Sequence, residues 1–322
     1  MPLTVALAGD TMLGRGVAIR LAEAGPRSLV AQEVREIVAA ADLFVLNLEC
    51  CISERGEPWP APGKPFFFRA PPVAVETLTW LGVDAVTLAN NHALDFGADA
   101  LHETLAHLGA AGIGVVGAGP DVSRARAPVV LEAGGMRLGV LGVTDHPADF
   151  AASEDRPGVA FADLRGGIPG WLLDTVRRLR DEVDAVLVTP HWGPNMTSQP
   201  PGYVRAAGHA LSAAGADLVA GHSAHVPHGV GDGICYDLGD FVDDYLVHPE
   251  LRNDLGLLFI ATLEEDGAAG VSAVPLALDY CHTRLAADEE YTWIRDRFDA
   301  ACTALGTEMT TAKDGRLTVH WR

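Results

Sequence analysis

Short, nearly unbroken apolar runs alternate along the first two thirds of the chain with amphipathic stretches of helical period. Residues 3–8, 43–48, 83–89, 113–116, 185–189 and 217–220 read as strands, because brief apolar runs bounded by turn residues fit strands buried on both faces. Between them, residues 28–40 carry Val30, Val34, Ile37 and Val38 at helical spacing, and residues 97–111 carry Leu101, Leu105 and Leu108. Residues 72–81, 171–181, 203–214 and 286–305 complete the predicted helices. Two hairpins interrupt the alternation: residues 129–132 with 137–143 about Gly134-Gly135, and residues 255–263 with 270–278. Alternating β and α argues for a mostly parallel sheet with helices on both faces, and the hairpins add antiparallel strands. The prediction is an α/β fold, either one mixed sheet or a two-sheet sandwich flanked by helices. No repeat, low-complexity tract or linker divides the 322 residues, so one domain is expected over 1–322, with 246–322 as its C-terminal hairpin and closing helix.

Charge narrows the function. Acidic residues number 43 against 23 basic, and a net charge of −20 disfavours a nucleic-acid partner or an anionic membrane face. It leaves open a small anionic substrate, since a bound cation reverses the sign inside a cleft. The apolar stretch after Met1 is too short for a signal peptide, and no later stretch has the length of a membrane span, which together predict a cytoplasmic protein. The cysteines, Cys50, Cys51, Cys235, Cys281 and Cys302, are odd in number and lack CxxC spacing, so they read as reduced, mostly buried thiols.

The chemical signal is positional. Asp10 follows the first strand, Asn47 and Glu49 end the second, and Asn90-Asn91-His92 end the third. His191 ends a later strand, ahead of Trp192-Gly193, and Gly221-His222-Ser223-Ala224-His225 ends the next. Each alone has a plainer explanation: Gly-Asp is a common turn, and a strand-end histidine is more often a core or rim residue. Five strands that each finish on a metal-capable side chain are harder to explain that way. Ligands bind outside the carboxyl ends of strands in open α/β sheets, which would bring these residues to one cleft. Carboxylates, an asparagine carbonyl and imidazoles without thiolate suit Mn²⁺, Fe²⁺ or Zn²⁺ better than Ca²⁺ or Mg²⁺, as one ion or two.

At these residues the sequence resembles the CapA family, named for capsule and poly-γ-glutamate synthesis, within the calcineurin-like metallophosphoesterase superfamily. The matching pieces are Gly9-Asp10-Thr11-Met12-Leu13, Asn47-Leu48-Glu49, Phe68-Arg69-Ala70-Pro71-Pro72, Ala89 to Gly97, His191-Trp192-Gly193 and Gly221 to Val226, all within residues 9–245. The resemblance implies a four-layer α/β/β/α sandwich with a one- or two-metal site. It implies Asp10, Glu49, Asn91, His191, His222 and His225 as metal ligands, with Glu49 bridging, and Asp10, His92 and His225 as acid–base candidates. Arg69 would grip a substrate carboxylate, with Asn90 and Trp192 beside it. Three departures stand out: Met12 replaces the usual first-motif histidine, Glu49 stands where an aspartate usually bridges, and His222 and His225 are three apart rather than two. Met12 should weaken one of the two sites. The acidic run Asp237, Asp240, Asp243 and Asp244 reads either as a solvated turn or as part of the site. CapA-like proteins have been linked to D-residue formation, so the resemblance implies metal-assisted epimerisation at Cα of a peptide or small amino-acid-derived substrate. The alternative is dinuclear phosphoester hydrolysis, and a non-catalytic binding module is a third reading.

Overall fold

The computed structural model describes residues 2–264 and 267–321. The chain first lays down four parallel strands in the order β1 (Leu3–Thr11), β2 (Leu43–Leu48), β3 (Ala85–Thr87) and β4 (Gly114–Val116). Helices α1 (Arg15–Ala24), α2 (Gln32–Val38), α3 (Ala74–Leu81) and α4 (Gly97–Ala110) occupy the crossovers. A second sheet follows, made from β5 (Val129–Ala133), β6 (Met136–Thr144), β7 (Ala185–His191), β8 (Leu218–Ala220), β9 (Val230–Gly231) and β10 (Ile234–Cys235). Its spatial order is β9-β10-β8-β7-β6-β5, with α5 (Gly170–Glu182) and α6 (Gly202–Ala214) in its crossovers. The chain then returns to the first sheet. There β11 (Asp240–Val242) and β12 (Leu255–Glu264) both pair with β1, and β13 (Gly267–Asp279), β14 (His282–Leu285), helix α7 (Asp288–Thr303), β15 (Met309–Thr311) and β16 (Leu317–His320) extend that edge.

Strand alternation sorts the core into three apolar layers. In the first sheet Ala6, Ala8, Phe44, Leu46 and Val86 point toward Val17, Leu21, Val34, Leu78 and Leu101 on α1 to α4. Their strand neighbours Val5, Leu7, Val45 and Ala85 point the other way, against Leu138, Val140, Ala185, Leu187 and Leu218 of the second sheet. The opposite face of that second sheet, Leu141, Val143, Val186, Val188 and Val219, packs on Leu172, Val176, Leu179, Val204 and Leu211 of α5 and α6. Because successive side chains of a strand face opposite ways, each sheet needs cover on both faces. The result is a four-layer α/β/β/α sandwich. Helix α7 lies in the middle layer, where Ile294, Phe298 and Cys302 cover the part of the first sheet built by β12 and β13. All five cysteines are free and buried. Among the described residues no helix is long and apolar enough to cross a membrane.

Several expectations are corrected in detail. The helix expected over 28–40 spans only Gln32–Val38, because Leu29 and Val30 are drawn into pairing with Thr283: the Thr283 amide donates to the Leu29 carbonyl and the Ala31 amide to the Thr283 carbonyl, each at 2.8 Å. The strand expected over 83–89 contracts to Ala85–Thr87. Helix α1 and strands β14 to β16 had no predicted counterpart. The buried stripe of α1 is only Val17 and Leu21, too sparse to register as a helical period.

At its carboxyl end β1 changes neighbours. Leu3 to Leu7 pair antiparallel with β12, whereas Asp10 and Thr11 pair parallel with β11. Gly9 sits at the changeover, where a Cβ would lie 1.8 Å from the Gly239 carbonyl oxygen. Only glycine fits that approach, and the backbone contact it permits carries Asp10 into place: the Asp10 amide donates to the same carbonyl at 2.9 Å. Gly9→Ala is therefore expected to lower unfolding free energy by about 1–3 kcal/mol or more, as overpacking does. Gly109→Ala, on the exposed face of α4 with open space around it, should be neutral or stabilising by up to about 1 kcal/mol. Chemical denaturation of both variants checks the contrast, and equal stabilities would refute it.

Candidate metal centre

The carboxyl ends of β1, β2, β3, β7 and β8 open on the same side of the sandwich, so residues far apart in sequence converge there. Asp10 ends β1, Glu49 follows β2, His191 ends β7, and His222 forms a parallel bridge with His191. Asp240, on β11, is brought opposite Asp10 by register. Two groups of ligand atoms result, and both contain Asp10. One is Asp10, Glu49 and His191; the other is Asp10, His225 and Asp240, with the ligand atoms of each group within 4.8 Å of one another. His191 Nε2 lies 3.5 Å from Glu49 Oε1, His222 Nδ1 3.5 Å from Asp10 Oδ1, and His225 Nδ1 3.3 Å from Asp10 Oδ2 and 2.8 Å from Asp240 Oδ1. A chain of amides fixes Asp10: Asn47 Nδ2 donates to Asp10 Oδ1 at 2.6 Å, and Asn90 Nδ2 donates to Asn47 Oδ1 at 2.9 Å.

The electrostatics of this cluster call for a cation. Asp10, Glu49 and Asp240 are essentially inaccessible, and the basic side chains that face them are histidines, not lysine or arginine. Burying carboxylates uncompensated costs several kcal/mol each. Burial, aided by the nearby Asp10 charge, pushes the Glu49 carboxyl well above the usual range. Burial likewise raises Asp240, against the pull of His225. Burial would raise Asp10 too, but the hydrogen bond and charge of His225, with the rings of His222 and His191, hold it low. Burial drives His191 well below its ordinary value and His222 down to about 4, leaving neutral imidazoles. Glu49 Oε1, both His191 ring nitrogens, His222 Nδ1 and Asp240 Oδ2 are buried without a hydrogen-bond partner. Orphaned oxygen and nitrogen acceptors at one spot are what a divalent ion would satisfy, and the donor set fits Mn²⁺, Fe²⁺ or Zn²⁺. Asp10, Glu49, His191, His222 and Asp240 are the residues positioned to hold it, with His225 Nδ1 hydrogen-bonded to Asp240 beside them.

Beside the cluster lies a cavity of about 300 Å³ whose lining includes His92, His225, Phe68, Asn195, Tyr245 and Arg15. His92 Nδ1 meets Asp95 Oδ2 at 2.6 Å, Asp95 Oδ1 pairs with Lys64 at 2.8 Å, and the His92 ring stacks on Phe68 with centroids 4.0 Å apart. Burial lowers the His92 pKa, and its bond to Asp95 opposes the shift. The expected substrate contacts are placed otherwise. The Arg69 guanidinium lies over the Phe96 ring at 4.0 Å and donates to the Arg55 and Gly56 carbonyls. The Asn90 amide is taken up by Asn47, the Leu48 carbonyl and the His92 amide. The Trp192 indole is buried and donates to the Tyr236 carbonyl at 2.9 Å. Asn90 and Trp192 hold the frame, because their polar groups are already paired within it, and Arg69 commits Nη1 to two backbone carbonyls. Met12, at the missing-histidine position, is buried in the helix-side core.

The structure decides between the two readings of the acidic run, and two further features carried no sequence signal. The acidic run is no solvated turn: Asp237, Asp240, Asp243 and Asp244 are all buried, and Asp240 supplies a ligand atom beside Asp10. Tyr245, which donates to Glu49 Oε2 at 3.2 Å, carried no signal beyond its place after that run. Asp145 is the other: one carboxylate oxygen contacts His146 Nδ1 and the other accepts from the Gly193 amide and the Tyr203 hydroxyl, setting His146 with its ring 5.0 Å from His191.

Comparison with known proteins bears on family and fold. Residues 4–245 match the model of the bacterial capsule synthesis protein PGA_cap. The chain is 31% identical to a probable polyglutamine synthesis accessory protein of Mycobacterium tuberculosis (strain CDC 1551 / Oshkosh), over 98% of this chain and 96% of that one. It is 30% identical to the PGA biosynthesis protein CapA of Bacillus subtilis (strain 168), over 75% of this chain and 63% of that one. Among solved structures, a hypothetical protein from Thermus thermophilus aligns with a TM-score of 0.50 at 18% identity, covering 85% of this chain and 98% of that one. This last likeness bears on the fold alone.

The shared carboxylate sets an order of sensitivity. Asp10→Asn is expected to abolish binding of divalent metal, whereas His191→Ala and Asp240→Asn each weaken one group and leave the other. Elemental analysis of dialysed protein tests this, and full metal content in Asp10→Asn would remove the assignment. Because Glu49 and Asp240 have raised carboxyls, ion binding must expel protons, so affinity should fall as pH falls. Calorimetry in two buffers of different ionisation heat should register proton release; proton uptake would contradict it.

Proposed function

Because the chain belongs to the bacterial capsule synthesis protein PGA_cap family, we propose that it serves polyglutamate or capsule synthesis as a divalent-metal-dependent acid–base enzyme that inverts Cα of an acidic, peptide-like substrate. The observation that carries this reading is the pair of imidazoles, His92 and His225, lining one cavity beside the ligand cluster. Each has its Nδ1 against a carboxylate, Asp95 for His92 and Asp240 for His225, which orients Nε2 away from that carboxylate. A carboxylate at Nδ1 also stabilises the ring when Nε2 gains a proton, as a base requires. Inversion needs one group to remove the Cα proton and another to return one, and two such rings meet that need. A bound divalent cation would supply positive charge at a substrate oxygen, which lowers the cost of negative charge developing there.

Phosphoester hydrolysis is the second reading. The observation that favours it is the membership of Asp10 in both ligand groups, an arrangement suited to two ions in one site.

The deciding experiment incubates Mn²⁺-loaded protein with glutamyl peptides in heavy water and follows deuterium at Cα by mass spectrometry. Exchange is expected, falling about 10²–10⁴-fold in His92→Asn and in His225→Asn, as loss of a positioned acid–base group does. Turnover of phosphomonoesters or phosphodiesters by the same sample, with no Cα exchange, would replace the first reading with the second.

A further inference from the structure

The cavity beside the ligand cluster has one fixed cation among its lining residues, Arg15, in a protein whose neighbouring carboxylates make the region strongly acidic. Arg15 opens α1 directly after Gly14 and takes a left-handed backbone, with φ of 50°. Such a conformation is costly for a side-chain-bearing residue and persists where surrounding structure enforces it. Two other non-glycine residues of the same lining, Met196 (φ 53°) and His225 (φ 60°), share it. Three of the eight described non-glycine residues with positive φ thus line this cavity.

What the strain achieves for Arg15 is placement. Asp244 accepts from Arg15 Nε at 3.2 Å, pairs with Nη2 at 2.6 Å and also accepts from the Gly16 amide at 2.8 Å. The guanidinium lies 5.4, 5.3 and 5.7 Å from the ring centroids of Phe66, Phe68 and Tyr245. One edge is thereby held by the buried Asp244, while Nη1 makes no hydrogen bond among the described residues. Phe68 is the common neighbour of Arg15 and His92, which puts the cation beside the proposed base. The mouth of the cavity carries Phe66 and Leu246, which are 54% and 94% exposed, so the approach to the cation is apolar. Aromatic walls reduce the hydration of the guanidinium and strengthen its hydrogen bond to an anion.

We infer that Arg15 is the specificity-determining anchor of this cavity, and that it selects substrates bearing a carboxylate on an apolar stem, such as a glutamyl side chain or chain end. This rests on the reading of the cavity as the substrate site of an acid–base enzyme. Asp244 is its positioning residue.

The test is binding, independent of turnover. Mn²⁺-loaded protein is titrated calorimetrically with a glutamyl tripeptide, with the same tripeptide amidated at its side chains and at its chain end, and with phenyl phosphate. The acidic tripeptide is expected to bind about 10- to 100-fold more weakly to Arg15→Gln than to the natural protein, the range expected when a charge-assisted hydrogen bond is lost. Arg15→Lys should recover part of that loss, and the amide form should be insensitive to either substitution. Unchanged metal content and melting temperature in Arg15→Lys keep the result from being a folding effect. Equal losses for the acidic and amide peptides, or no loss, would overturn the inference. So would Arg15-dependent binding of phenyl phosphate without binding of the tripeptide, a result that assigns the cation to phosphate. Cα deuterium exchange separates the two claims. Exchange by the natural protein with an unchanged KM in Arg15→Gln sinks the anchor and leaves the epimerase reading. Arg15-dependent binding without exchange does the reverse.

Discussion

The Asp10 carboxylate is buried where three conditions meet, and the rest of the site is arranged around them. Its strand changes partner at Gly9, passing from β12 to β11, and the absence of a side chain there lets the Gly239 carbonyl press against the backbone. Its oxygens face His222 on one side and His225 on the other. Asn47 and Asn90 brace it from behind through successive amide hydrogen bonds. A carboxylate so placed cannot turn to water. Its charge must be met by imidazole protons or by a cation, and the unpaired atoms on Glu49, His191 and Asp240 point to the cation.

Much of the fold was legible because it rests on long-range alternation of apolar runs, and buried parallel strands announce themselves that way. The pieces that were not legible are those whose burial comes from tertiary partners. Val30 follows a helical period yet pairs with Thr283, and β14 and β16 are short strands that form only by joining the far edge of β13, with β15 added onto β16. The site divides along the same line. Asp10, Glu49, His191, His222 and His225 sit at strand ends, where topology predicts convergence. Asp240 sits in a segment whose four aspartates look solvated until the return of the chain to β1 buries them. Asn90 and Trp192 had the right chemistry for substrate contact, but their hydrogen-bonding groups are occupied by neighbouring backbone and amides, and the Arg69 guanidinium lies over the Phe96 ring.

The site has two electrostatic halves. The floor is made of carboxylates and neutral imidazoles closed off from solvent, an environment for a cation. The wall is aromatic, with a guanidinium held among Phe66, Phe68 and Tyr245, an environment for an anion with an apolar body. His92 and His225 lie where the halves meet. Net charge alone gives no hint of this, since a chain carrying −20 overall still presents a cationic feature at its cavity.

The route of the chain through the two sheets has a consequence for biosynthesis. Strands β1 to β4 come from the first third of the chain, yet the strand that covers the outer side of β1 is β12, beginning at Leu255. Until β12 emerges from the ribosome, Leu3 to Leu7 present an open backbone edge and an apolar face together, the combination that invites pairing with other chains. At about 5–20 residues per second that exposure lasts on the order of tens of seconds. The newly made protein therefore passes through a sticky interval in every round of translation, and its yield in the cell should depend on how well molecular chaperones shield that first strand.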